Sequence, residues 1–96
     1  MRKLTIISPD GTVSTEEHAK VKLDRLQQLV GGCIQEVPNF SKFEGKRCTA
    51  WCNESGVLYA LPRNDLATRL WKEQLRDEPL WYDPVLFGPV VIEQKV

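Results

Sequence analysis

The first apolar positions of the chain predict a strand and a tight turn. Residues 4–7, Leu-Thr-Ile-Ile, favour a strand. Residues 8–11, Ser-Pro-Asp-Gly, have the composition of a type I turn, because proline fixes φ at the second position and glycine suits the fourth. Thr12 and Val13 then predict a short strand that pairs back on the first. The chain is therefore expected to open with a small β-hairpin.

A helix is expected next. Ser14 and Glu17 have capping-box spacing, so each side chain can satisfy a backbone N–H group at a helix N-terminus. Apolar residues follow at helical intervals and share one face. They are Ala19, Leu23, Leu26 and Val30. The Gly31-Gly32 pair ends this helix, because glycine adopts the left-handed conformation without a steric penalty.

The middle of the chain has the period of strands. Residues 33–37 predict a short strand, and residues 39–46 show no period and predict a loop. Side chains of residues 47–53 alternate between two faces and predict a longer strand, with Cys48 and Cys52 on one face. Residues 53–56, Asn-Glu-Ser-Gly, have the composition of a turn. The apolar run 57–61 then predicts the returning arm of a hairpin.

The last third predicts a second helix and a final strand. Asn64 is a natural N-cap, and residues 66–74 place apolar side chains on one face. Residues 77–84 predict a loop, and residues 90–92 a strand. The order ββαβββαβ predicts a single α+β domain over residues 1–96, with a small, mostly antiparallel sheet and two helices packed on one face. Its predicted core is Leu4, Ile6, Leu23, Leu26, Val30, Ile34, Leu58, Leu66, Leu70 and Val91.

The charges of the chain are balanced. Thirteen Lys and Arg residues match thirteen Asp and Glu residues. Nucleic-acid-binding domains usually show a basic excess, so this balance gives no strong nucleic-acid signal. The N-terminal apolar run is too short for a signal peptide, and a membrane span needs about 20 apolar residues. We therefore expect a cytoplasmic protein that does not enter membranes.

Few residues could carry catalysis. His18 is the only histidine, and the chain contains no nucleophile elbow, phosphate-binding loop or zinc-protease motif. The odd number of cysteines, three, argues against a disulfide framework. Cys48 and Cys52 would lie roughly 13 Å apart in a strand, too far for one zinc ion. We predict no enzyme activity, no cofactor and no metal site.

One segment combines aromatic residues with acids. It runs Asp-Glu-Pro-Leu-Trp-Tyr-Asp over residues 77–83. Aromatic side chains dominate protein-binding hot spots, whereas acids repel phosphates. We predict that Trp81, Tyr82, Asp77 and Asp83 bind a partner protein. Trp81 or Tyr82 should be exposed in the monomer and buried in a complex or a homodimer. The alternative is a loop folded onto the sheet.

A second set of residues predicts an anion site. Lys46 and Arg47 follow two phenylalanines, and Arg63 and Asn64 open a helix whose free N–H groups attract anions. The predicted hairpin would bring Arg47 and Arg63 to the same end. Together these four residues could bind a small anionic ligand such as a signalling nucleotide. The alternative is that the phenylalanines fill the core and Asn64 only caps the helix.

Four segments carry a joint resemblance to a known family. They are residues 26–37 (LQQLVGGCIQEV), 53–58 (NESGVL), 61–71 (LPRNDLATRLW) and 88–92 (GPVVI). The set resembles a small family of unknown function, domain of unknown function 3846, which is common in bacteriophages and mobile elements. The match covers roughly residues 20–92 in the expected order. Where this chain has Gly88-Pro89 before the closing strand, the family more often has Gly-Asp. The loop at residues 77–84 also departs from the pattern of the family.

The resemblance implies a phage or mobile-element origin and an intracellular α+β domain, located in the host cytoplasm if phage-encoded. It transfers no catalytic residue, because the family has none assigned. Small accessory proteins of this kind often bind a host protein or sequester a signalling nucleotide. We therefore expect an accessory protein that binds and modulates a host protein, for example as an inhibitor of a defence system. Binding of a small anionic ligand is the alternative.

Overall fold

The first hairpin forms where the sequence places its turn. The computed structural model describes residues 1–96, and in it β1 (Arg2–Ile7) pairs antiparallel with β2 (Val13–His18). The amide of Gly11 donates to the carbonyl of Ser8 at 2.9 Å, which closes the predicted turn. The turn is confirmed, and the return strand is longer than expected.

The predicted start of the first helix is wrong. Residues 14–18 belong to β2, and the helix α1 spans Leu23–Val30. A helix beginning at Ser14 would leave one edge of β1 unpaired, because β2 is the strand on that side. The end of the helix is confirmed, since Gly31 has a φ of 80° and its amide donates to the carbonyl of Gln27.

The remaining elements complete a five-stranded sheet in which all neighbouring strands are antiparallel, in the order β2-β1-β7-β6-β3. They are β3 (Ile34–Glu36), β4 (Lys42–Phe43), β5 (Lys46–Arg47), β6 (Thr49–Asn53), α2 (Asp65–Gln74) and β7 (Val90–Lys95). β4 and β5 form a small separate hairpin where a loop was predicted, and Arg47 belongs to this hairpin instead of to the strand predicted over residues 47–53, which begins at Thr49. Neither helix is long and apolar enough to cross a membrane.

Residues 57–61 do not form the predicted strand. β6 pairs with β7 on one side and with β3 on the other, so it has no free edge for a returning arm. The chain makes successive turns instead, in which the Tyr59 amide donates to the Ser55 carbonyl at 3.0 Å. Leu58, which was expected in the core, is 79% exposed as a result.

The two helices lie on opposite faces of the sheet, so the prediction that both pack on one face is wrong. Neighbouring residues of a strand point to opposite faces. In β7, Val91 packs in one cluster with Leu26 and Val30 of α1, whereas Val90 and Ile92 belong to the cluster that contains the buried residues of α2. A central strand that is apolar on both sides needs cover on both. The α+β class, with a mostly antiparallel sheet and two helices, is confirmed.

The two faces bury cores of different size. The α1 face has five buried apolar residues, all of them in the predicted core: Leu4, Ile6, Leu26, Val30 and Val91. The α2 face has ten: Ile7, Val37, Phe40, Ala50, Ala67, Trp71, Leu75, Leu86, Val90 and Ile92. Ile34, Leu66 and Leu70 are partly buried. Leu23 is 56% exposed, so its assignment to the core is wrong.

Candidate functional site

The loop between α2 and β7 leaves its aromatic residues at the surface. Trp81 is 90% exposed and Tyr82 is 41% exposed. Their rings meet edge to face, with centroids 5.2 Å apart. Asp77 and Asp83, at the two ends of the segment, are also exposed. The expected exposure is therefore present, and the loop does not fold its tryptophan onto the sheet.

Both ends of this loop are tied to the rest of the fold. Asp83 Oδ1 lies 3.3 Å from Lys72 Nζ of α2. At the other end, the Glu78 amide donates to the Leu75 carbonyl at 2.9 Å. Pro84, which follows the aromatic pair, is buried. These contacts hold the aromatic pair on a short, anchored loop.

Asn64, predicted to help bind an anion, is a structural residue. Its side chain is fully buried, and Nδ2 donates to the carbonyls of Ile7 at 2.8 Å and Gly88 at 2.9 Å. Oδ1 accepts from the Ala67 amide at 3.1 Å, which confirms the predicted N-cap. All of these groups are used within the fold, so the anion-binding role predicted for Asn64 is wrong.

The three basic residues of that set lie at opposite ends of β7. Arg63 forms an isolated bridge with Phe87, just before β7 begins. Arg47 and Lys46 line separate clefts that each include Lys95, at the end of β7. A strand of this length spans roughly 17–20 Å. The predicted convergence is wrong, because it required the hairpin arm at residues 57–61 that does not form.

The two phenylalanines near the basic residues belong to the core. Phe40 is 3% exposed, and Phe43 packs against the same cluster on the α2 face. The alternative interpretation, in which these side chains fill the core, is therefore confirmed. Phe40 therefore presents no stacking surface to a ligand, whereas Phe43 is partly buried and lines a cleft with Lys46.

A polar groove runs along the outer side of α2. Its lining is Arg63, Asp65, Thr68, Arg69, Lys72, Glu73 and Arg76. Four of these residues are basic and two are acidic, and Arg63 Nε lies 3.6 Å from Asp65 Oδ1. All six charged residues of this lining are exposed.

The partly buried cysteines are poor nucleophiles. Burial raises the pKa of the Cys48 thiol to about 11, and burial also raises the pKa of Cys52. Both thiols pack against the core of the α2 face. No three His, Cys, Asp or Glu side chains lie close enough together to hold a metal ion.

The only histidine belongs to a hydrogen-bonded cluster between β2 and α1. His18 Nε2 lies 2.9 Å from Glu16 Oε1, and the guanidinium of Arg25 donates to both oxygens of Glu16. Hydrogen bonds from Arg25, and then from His18, hold the pKa of Glu16 at about 2. This cluster links the edge strand to the helix, which gives these side chains a structural role.

An apolar cleft of about 180 Å³, which was not predicted from the sequence, opens at the β3 side of the sheet. It lies between β3, the turn after β6 and residues 85–87, and Trp71 of α2 lines it. Trp71 Nε1 donates to the carbonyl of Pro38 at 2.7 Å, which fixes the indole beside the end of β3. The apolar run Val-Leu-Phe at residues 85–87 was the one signal for it in the sequence.

These features define a small α+β protein with an anchored, exposed aromatic loop and an apolar cleft at one side of its sheet. The chain matches the family model described as Domain of unknown function (DUF3846) over residues 1–95, and it belongs to that family. The match includes the first hairpin and the aromatic loop, beyond the roughly 20–92 expected from the motifs. No curated protein and no solved structure matches the chain significantly.

Proposed function

We propose that this protein is a non-enzymatic binding protein that docks on a partner protein through the loop at residues 77–83. The observation that carries the proposal is the 90% exposure of Trp81. An indole is among the side chains that contribute most to protein-binding hot spots, because it buries a large apolar area with few rotatable bonds. A tryptophan held at the surface of an anchored loop is available for such contact.

The shape of the loop favours docking. Pro79 within the loop and Pro84 directly after it limit the conformations of the loop, and an exposed ion pair between Asp83 and Lys72 adds a contact at one end. Less conformational entropy is therefore lost when the loop binds. The edge-to-face packing of Trp81 on Tyr82 further restricts the exposed ring.

The charges of the loop favour a basic partner surface. Asp77, Glu78 and Asp83 flank the aromatic pair, and all three are exposed. Charge complementarity directs the choice of partner and speeds association more than it adds affinity. A protein surface with Lys or Arg side chains around an apolar pocket would complement this loop.

Family membership extends the proposal to a biological context. The family resembled by the sequence is common in bacteriophages and mobile elements, so we propose an accessory protein of such an element. Its target would be a protein of the host cell, and inhibition of a defence protein is the role we favour. Sequestration of a small anion is less well supported, because the residues expected to form that site lie apart.

The test compares the protein with its Trp81→Ala variant. Each would be immobilised, exposed to host lysate, and the captured protein identified, purified and measured for affinity. We expect the variant to bind at least about 30-fold more weakly, equivalent to about 2 kcal/mol. Its melting temperature should stay unchanged, because Trp81 is so exposed.

Leu23→Ala provides the control, since Leu23 of α1 is also an exposed apolar residue, at 56%, and belongs to neither the loop nor the cleft. This variant should keep full affinity for the partner. Equal losses in the two variants would indicate non-specific adhesion of apolar groups. A large fall in melting temperature for Trp81→Ala would show that the ring serves stability and would refute the proposed role.

A further inference from the structure

The β3 edge of the sheet carries unpaired backbone groups. β3 pairs only with β6. The Cys33 carbonyl accepts from the Glu54 amide at 2.9 Å, so Cys33 turns its carbonyl toward β6. Since these groups alternate in direction along an antiparallel strand, the N–H and C=O groups of Ile34 and Glu36 point away from β6. No other strand lies on that side.

The apolar cleft beside this edge has room for one large side chain. Its volume is about 180 Å³, and Val37, Trp71 and Phe87 are among the residues that line it. An apolar cavity of roughly 150 Å³ in a protein can hold a benzene molecule. A Leu, Ile or Phe side chain is therefore a suitable occupant by size.

The charges around the cleft have one sign. Glu36 and Glu54 are the charged residues that line it, and both are exposed. No Lys or Arg lines the cleft to balance them. A ligand with a basic side chain close to its apolar one would complement this arrangement.

Exposed apolar residues follow the cleft-lining residue Val57 in the chain. Val57, Leu58 and Tyr59 are 74%, 79% and 65% exposed, and Val57 also lines the cleft. They are exposed because β6 has no free edge to receive them.

We propose that the β3 edge binds an extended segment of a partner protein as an added strand. The backbone groups of Ile34 and Glu36 pair with the segment, as in known cases of strand addition. One large apolar side chain of the segment fills the cleft, and a Lys or Arg lies beside Glu36 and Glu54. The other free edge, β2, offers mostly polar side chains and no comparable cleft. Trp81 does not line this cleft, so the site is independent of the function proposed for the aromatic loop.

The test uses a display library of random twelve-residue peptides, selected on the purified protein. The enriched peptides should share a large apolar residue with a Lys or Arg one or two positions away. They should bind the double variant Glu36→Lys with Glu54→Lys at least tenfold more weakly than the unmodified protein. The matched control is Glu17→Lys with Glu73→Lys, which changes the net charge equally at exposed positions away from the cleft. The control should bind normally, and so should Trp81→Ala.

Amide hydrogen exchange on the unmodified protein gives a second, independent measurement. Saturating peptide should slow exchange at Ile34 and Glu36, whose N–H groups have no strand partner without it. A library without enriched peptides, or equal binding to the two double variants, would refute the proposal. Protection at β2 instead of β3 would also refute it, as would self-association of the protein through β3 without peptide.

Discussion

The α1 face of the sheet buries five apolar residues, whereas the α2 face buries ten and also encloses the side chain of Asn64. Asn64 joins the end of β1 and the segment before β7 to the first turn of α2 through three hydrogen bonds. The α1 face relies on a partly exposed ion pair, Glu16 with Arg25, and on Asn53 Nδ2, which donates to the Val30 carbonyl at 3.0 Å. Both faces therefore contain a buried amide side chain, and the α1 face differs in that its link to β2 is a partly exposed ion pair.

This difference matters because buried and exposed polar contacts differ in energy. A buried hydrogen-bonding group that loses its partner costs about 1–3 kcal/mol, whereas exposed ion pairs typically contribute less than about 1 kcal/mol. The same kind of substitution should thus have unequal effects on the two faces. Three predictions test the comparison.

The largest effect is expected for Asn64→Ala. The change removes a helix cap, worth about 0.5–2 kcal/mol, and leaves the buried carbonyls of Ile7 and Gly88 without their donor, at about 1–3 kcal/mol each. We expect the free energy of unfolding to fall by roughly 3–6 kcal/mol in urea titrations. Asn64→Asp, which keeps an acceptor for the cap but not the donor, should also be strongly destabilised. If the free energy of unfolding of the alanine variant falls by less than about 1 kcal/mol, the hydrogen bonds of Asn64 do not stabilise the fold as described.

The next effect is on the α1 face. Leu26 is 5% exposed, and Leu26→Ala should lower the free energy of unfolding by about 2–5 kcal/mol, because it leaves a cavity between α1 and the sheet. Leu23→Ala is the control in the same helix, where the side chain is 56% exposed. It should change stability by less than about 0.5 kcal/mol. Similar losses in the two variants would contradict the orientation of α1.

The smallest effect concerns pH. The pKa of Glu16 is lowered from 4.5 to about 2 in the folded protein. A carboxylate with a lowered folded pKa adds stability above its unfolded pKa and loses it as the pH falls through the folded value. Glu16→Gln should therefore melt at a lower temperature than the unmodified protein at pH 7, and the gap should close between pH 4.5 and about 2. Glu17→Gln, at an exposed position on the same strand, is the control and should show no such gap. A gap that persists at pH 2 would mean that Glu16 acts through packing instead of charge.

The candidate site was only partly visible in the sequence. The exposure of Trp81 could be anticipated, because acids and prolines surround it and no apolar period continues through the loop. The cleft beside β3 could not, because it combines residues from four separate segments. The predicted anion site depended on a hairpin that cannot form, because β6 has no free edge. Asn64 was expected to bind the ligand, but its side chain is fully buried.

Local chemistry by itself determined several features of this protein. The turn at residues 8–11, the left-handed cap at Gly31, the cap at Asn64 and the alternation of β6 each depend on a few neighbouring residues. Tertiary structure decided the rest. Residues 14–18 became a strand because β1 needed a partner, and residues 57–61 became turns because both edges of β6 were occupied. The helices took opposite faces because the central strand is apolar on both, and each of these outcomes depends on residues far apart in the chain.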